Sequence, residues 1–215
     1  MYKIMAINLQ KGQRISISLS KLSVGLGWDA NVDTGNPYDL DASAFMVDKN
    51  RQIPEEGFFV FYNNLESPDK AVISSGDDQT GDNSDEGDDE TLFVDLYRID
   101  TRIEEIIFTV TIHDYETRKQ NFGQVHNSYI RICNTVTNEE IAKYELDEDF
   151  SVETSVEFGR LYKKNGEWKF EAIGCGYRDG LEGFVEKYAK DLINTIRNQY
   201  GNQTKKRAKD QSRKK

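Results

Sequence analysis

Residues 75–96 read SGDDQTGDNSDEGDDETLFVDL, and two chemistries meet inside them. From Gly76 to Glu90 there are eight carboxylates (Asp77, Asp78, Asp82, Asp85, Glu86, Asp88, Asp89, Glu90), three glycines and no basic residue. From Thr91 the chain turns apolar and β-prone, so the acids are delivered to the end of a strand. Two carboxylates about 4 Å apart repel by roughly 1 kcal/mol in water and about 4 kcal/mol near a protein surface. A compact loop with eight of them calls for cations. Hard oxygens on a glycine-broken loop suit Ca²⁺, which accepts loose geometry, better than Mg²⁺, which demands an octahedron. On composition alone such a loop is equally read as a solvated segment. Its abutment on a strand, and a second acidic cluster at Asp39 and Asp41 opening another strand (YDLDASAF), favour a site. An EF-hand does not fit. Started at Asp82, it places Gly87 sixth but Phe93 where the bidentate acid belongs.

Outward from this stretch the chain reads as short strands. Residues 4–9 and 14–19 (RISISL) predict an opening hairpin around Lys11-Gly12. Residues 22–28 and 40–47 bracket a loop carrying Asp29, Asp33 and Asp39. Strands are also expected at 58–62, 91–96, 104–112, 128–133, 139–146, 153–162 and 168–175. In 104–112 the residues Ile106, Phe108, Val110 and Ile112 alternate onto one face. Ten or eleven strands and no helical period before residue 180 predict a mainly β fold, an antiparallel β-sandwich. From Leu181 the apolar positions Phe184, Val185, Tyr188, Leu192 and Ile196 take helical spacing, predicting a C-terminal amphipathic helix to about Gln199 with Gly201 as a stop. Such a stripe is ordinarily a packing face, and less often a partner-binding one.

The formal net charge is −10, but Lys205 to Lys215 holds seven Lys/Arg and one Asp, a net of +6. Subtraction leaves −16 on residues 1–204, a body that repels nucleic acid and anionic lipid. Residues 201–215 read as a disordered basic tail with, at most, weak electrostatic contact to anionic surfaces. No apolar run reaches the ~20 residues of a membrane span, and no signal-peptide pattern opens the chain. Cys133 and Cys175 sit in strand-like runs without CxxC spacing, as buried thiols of a cytoplasmic protein do. His113 and His126 lack zinc-ligand spacing, and no nucleophile elbow, P-loop or dinucleotide fingerprint is present.

Six segments resemble the TerD-type tellurite-resistance and general stress proteins: VGLGWD (24–29), DLDASAF (39–45), FVFYNN (59–64), GDDQTG with GDDE (76–81, 87–90), FGQVHNSYIRI (122–132) and EWKFEAIGCGY (167–177). They occur in family order over roughly residues 1–180. Two departures stand out. Gly76-Asp77-Asp78 replaces the family's Gly-Asp-Asn, and the spacer before Asp88-Asp89-Glu90 is about two residues longer, which leaves the part of Asp82 or Asp85 in doubt. The resemblance implies a bacterial, calcium-binding β-sandwich (1–180) with its acidic metal-binding loops at one end, followed by the helix (181–200) and tail. It implies a cytoplasmic, non-enzymatic binding module in a stress response, with two Ca²⁺ ions and protein partners in a membrane-associated complex, and no specific nucleic acid. The ligands so implied are Asp39, Asp41, Asp77, Asp78, Asp88, Asp89 and Glu90, with Asp29 contributing and carbonyls of Gln79 to Gly81 completing the shell. The alternatives are a metal-dependent phosphoesterase using the same carboxylates, and a scaffold whose metal is structural. The first ordinarily adds histidine or lysine beside the metal, and none is near these acids in sequence.

Overall fold

The computed structural model describes residues 6–29, 38–76, 88–146, 150–193 and 195–196. Apart from Asp41 and Glu105, two of its strands, LDASAFMV and EIIFTVTI, are runs of apolar and small residues, the pattern of strands covered on both faces. Twelve strands form two six-stranded sheets. In chain order they are β1 Ile7–Asn8, β2 Arg14–Ser16, β3 Lys21–Gly27, β4 Leu40–Val47, β5 Phe59–Val60, β6 Val72–Ser74, β7 Glu90–Asp95, β8 Glu105–Ile112, β9 Tyr129–Asn134, β10 Glu140–Glu145, β11 Ser155–Lys164 and β12 Glu167–Tyr177. Sheet A has the order β1-β10-β9-β3-β7-β6, and sheet B the order β2-β12-β11-β8-β4-β5. The inner faces carry the core: Leu22, Val24, Leu26, Leu92, Val94, Ile130 and Ile132 from sheet A, and Leu40, Ala42, Ala44, Ile106, Phe108 and Val110 from sheet B. The architecture is mainly β and sandwich-like.

The expected opening hairpin does not form. β1 pairs parallel with β10 in sheet A, and β2 pairs with β12 in sheet B. The turn at Lys11-Gly12 carries the chain across the sandwich. Gly12 takes φ +80, and its amide donates to Ala172 O at 2.7 Å, while Leu9 N donates to Lys143 O at 2.7 Å. Alternation in this segment records a half-buried strand and not its partner. β6 was not anticipated, and neither was the short helix α1 (Tyr115–Arg118). All the sheet edges are strands of two or three residues.

The expected alternation in β8 is present, yet its other face, Ile107, Thr109 and Thr111, is buried as well. Its cover is helix α2, Gly180–Tyr188, which packs on the outer face of sheet B. The ring of Phe45 lies 6.3 Å from that of Phe184 and 5.4 Å from that of Tyr188, and stacks on Phe59 at 4.3 Å. Leu181, Phe184, Val185 and Tyr188 are all buried, each contributing about 1.5–3 kcal/mol by removal from water. Glu157 of β11 ties the helix down. Its carboxylate accepts from Lys187 Nζ at 2.8 Å, Tyr188 OH at 2.9 Å and Tyr177 OH at 3.2 Å. α2 is interrupted after Tyr188 by a 3-10 turn at Lys190–Leu192, and helical backbone returns at Ile193 and at residues 195–196. The segment after β4 takes over the last turn. Ile53 N donates to Tyr188 O at 2.8 Å, Gln52 Nε2 donates to Lys187 O at 2.9 Å, and Gln52 Oε1 accepts from Lys190 N at 3.0 Å. Hydrogen-bonded from outside, those carbonyls need no further helical turn. The expected helix end at Gln199, the stop at Gly201 and the tail 201–215 lie outside the described residues.

Candidate metal centre

The acidic stretch re-enters the described chain at Asp88, just before β7. The ladder between β3 and β7 is already set there, with Asp89 N donating to Leu26 O at 2.8 Å and Glu90 opposite Leu26. Because side chains alternate along an extended chain, the successive acids diverge. Glu90 joins the inner face with Leu92 and Val94, and its Oε2 accepts from Ala42 N of β4 at 2.6 Å. That bond crosses from sheet A to sheet B between residues 48 apart in sequence. Asp89 turns to the end of β3, where its Oδ2 accepts from Trp28 N at 2.8 Å.

Asp39 and Asp41 flank Leu40 at the start of β4, beside the amide that Glu90 holds. Asp41 Oδ2 lies 3.6 Å from His113 Nδ1, and Asp39 Oδ2 lies 3.3 Å from an Arg118 guanidinium nitrogen. The His113 ring meets Tyr62 edge to face at 6.3 Å. Asp39, Asp41, Asp89 and Glu90 are 5%, 2%, 9% and 4% exposed. Burying a carboxylate costs several kcal/mol unless charge and hydrogen bonds compensate it, and here Arg118, His113 and the amides of Trp28 and Ala42 supply part of that compensation.

The remaining candidates separate. Asp29 is exposed at the rim, its Oδ2 accepting from Asn127 Nδ2 at 2.6 Å. Asp88 lies on the outer face of sheet A, where its Oδ1 accepts from Arg131 Nε at 2.6 Å and from Tyr129 OH at 3.1 Å. Burial opposes the Arg131 charge, but the hydrogen bond and charge of Asp88 outweigh it and raise the guanidinium pKa. Burial, reinforced by the Asp88 charge, raises that of the Tyr129 phenol. Asp77, Asp78, the carbonyls of Gln79 to Gly81, Asp82 and Asp85 lie outside the described residues. Among the described residues no three His, Cys, Asp or Glu side chains form a group that could hold a metal. The bond from Ala42 N to Glu90 brings the start of β7 to the start of β4, where Asp39 and Asp41 lie, while Asp29 bonds Asn127 and Asp88 bonds Arg131 and Tyr129.

Sequence reasoning missed the cations at this end. His113 faces Asp41 because β8 pairs with β4 through Leu40 and Ile112 and the ladder continues in His113 N to Asp39 O at 2.8 Å. Arg131 lies within a quoted motif, but its facing Asp88 depends on the order β9-β3-β7, which no local pattern encodes. Among the described residues no helix is long and apolar enough to cross a membrane.

A model described as the TerD domain matches residues 5–188. The chain is 48% identical over 190 residues to General stress protein 16U of Bacillus subtilis (strain 168), covering 86% of this chain and 97% of that protein. It is 44% identical over 189 residues to Tellurium resistance protein TerD of Serratia marcescens, again covering 86% and 97%. Among solved structures it is similar to a homologue of telluride resistance protein (TerD) from Streptomyces coelicolor A3(2), with TM-score 0.64 and 20% identity over 78% of this chain and 96% of that one. That last likeness concerns the fold. Sequence and fold together place the chain in the TerD domain family.

Proposed function

We propose that the protein is a calcium-binding module of tellurium resistance and general stress response, acting in the cytoplasm by binding and not by catalysis. The observation that carries the reading is the 2.6 Å bond from Ala42 N to Glu90, which ties the start of β7 to the start of β4, the two segments that bear the buried acids. Carboxylates from two distant segments, dehydrated at one end of a rigid sandwich, are the oxygen-rich donor set that suits Ca²⁺. Asp39, Asp41, Asp89 and Glu90 would hold the metal, with Asp77, Asp78 and carbonyls of Gln79 to Gly81 supplying the rest of a site for two ions. Bound calcium would supply charge neutralisation and would fix the acidic loop against β4. The names of the relatives supply the physiological setting. Partners in a membrane-associated complex and weak contact of the basic tail with anionic surfaces belong to the same proposal.

Binding only to the native state adds stability by mass action. The melting midpoint in millimolar CaCl₂ should therefore exceed that in chelator, and calorimetric titration should give two ions per chain. An unchanged midpoint with no heat of binding refutes the reading. Turnover of phosphate esters in the presence of calcium or magnesium would favour the hydrolase alternative.

A further inference from the structure

Asp88 is one of the acids that the family resemblance assigns to the metal, and its carboxylate rests against β3 and β9. It lies flat on β3, over Gly25, where a Cβ would collide with its carboxylate, and two positions along Gly27 leaves the same kind of room for the Tyr129 ring. The two glycines thus open one face of the strand for a carboxylate and a phenol. Arg131 and Tyr129 of the neighbouring β9 reach across β3 to close on Asp88 from the far side. The pair is well covered: the Arg131 side chain is 27% exposed and that of Asp88 11%. Arg131 is held in turn by Glu140 of β10 at 3.4 Å, and Lys143 Nζ sits 4.3 Å from the centre of the Tyr129 ring. A guanidinium–carboxylate contact at 2.6 Å spanning a strand fixes geometry more than it adds stability.

We infer that Arg131 and Asp88 form a positioning pair, seated on Gly25, that sets the end of the acidic loop in register so that Asp89 and Glu90 face the metal side before any cation arrives. Asp88 and Glu90 are two residues apart, so unbroken alternation would put them on one face; the bend at Asp89 separates them, and with Asp88 clamped over Gly25 it leaves Asp89 at the end of β3 and Glu90 inward at Ala42. Asp88 is then an anchor of the ligands and not one of them. Its bearing on calcium rests on the function proposed above, while its bearing on strand register does not.

The test uses the full chain as wild type, Arg131→Gln, Asp88→Asn and the double variant. In chelator, amide hydrogen exchange at Asp89, whose N–H bonds Leu26 O, should quicken equally in both single variants and no further in the double. Amides of β12 and α2 should stay as protected as in wild type, which shows that the variants fold. If Arg131→Gln does not fold, Asp88→Asn, which keeps the side-chain shape, carries the test. Wild-type exchange at Asp89 in Asp88→Asn overturns the inference. In calcium titrations the single variants should bind about ten- to a hundred-fold more weakly with the number of ions unchanged, the effect usual for groups that orient ligands. Tighter binding by Arg131→Gln would mean that the arginine competes with the metal for Asp88. Loss of one ion in Asp88→Asn alone would make Asp88 a ligand. Either result overturns the inference. A wild-type chain that takes up no calcium refutes the calcium reading, and exchange in chelator then decides the positioning pair by itself.

Discussion

Replacing Glu157 by Gln tests how the C-terminal helix is held. The carboxylate is 3% exposed and accepts from Lys187, Tyr188 and Tyr177, with Arg51 approaching at 3.9 Å. Glutamine keeps the volume but loses the charge and brings an NH₂ that must face donors. A hydrogen bond to a charged group contributes about 1.5–3 kcal/mol. The Lys187 side chain is 38% exposed and can turn to water, which places the expected loss at about 2 kcal/mol. For a chain of this length that lowers the melting midpoint by about 4–8 °C. Calorimetric melts at fixed calcium would read it. The same variant tests the alkaline limb. Burial, with the Glu157 charge adding to it, holds the Tyr188 phenol up to about 12, and hydrogen bonds to Glu157 and the tyrosines raise Lys187 against the opposing effect of its burial. Both folded values are raised, so their contribution is intact below the unfolded values near 10 and is lost as pH climbs from there toward 12. The fall should be shallower in Glu157→Gln. A midpoint within about 1 °C of wild type at neutral pH, with an unaltered alkaline limb, would refute the claim that Glu157 anchors the helix.

Truncating Phe184 to Ala, which empties the ring site between Phe45 and Tyr177, should cost about 3–5 kcal/mol, measured by denaturant unfolding. Asp89→Asn and Glu90→Gln should each weaken calcium binding by on the order of tenfold or more, while Asp85→Asn changes it little; equal losses in calorimetry would mean attraction by diffuse charge. Deleting residues 203–215 should leave the midpoint and calcium affinity unchanged and reduce retention on anionic liposomes at low salt, since no apolar residue follows Ala208 in that segment.

What local pattern could express, it expressed. The period of two in β8 and the helical spacing of Leu181, Phe184, Val185 and Tyr188 report burial directly, and each of those residues is buried. The covering of β8 on its second face was hidden because threonines there read as solvent-facing. The interruption after Tyr188 was hidden because Gln52 and Ile53, far back in the sequence, hydrogen-bond the carbonyls there. At the acidic end, composition singled out the segments but not the direction of each side chain. Asp88 and Asp89 are identical in sequence terms, and only the glycine face of β3 and the arginine of β9 separate them.

The brevity of the sheet edges bears on how the molecule associates. An incoming strand would find two or three backbone positions on β1, β2, β5 or β6, and β6 is already engaged by Leu65, Glu66 and Ser67. Among the described residues, edge strands this short are a poor template for an intermolecular ladder. Side chains on the faces of the sandwich, many of them charged, offer a partner more surface than these edges do.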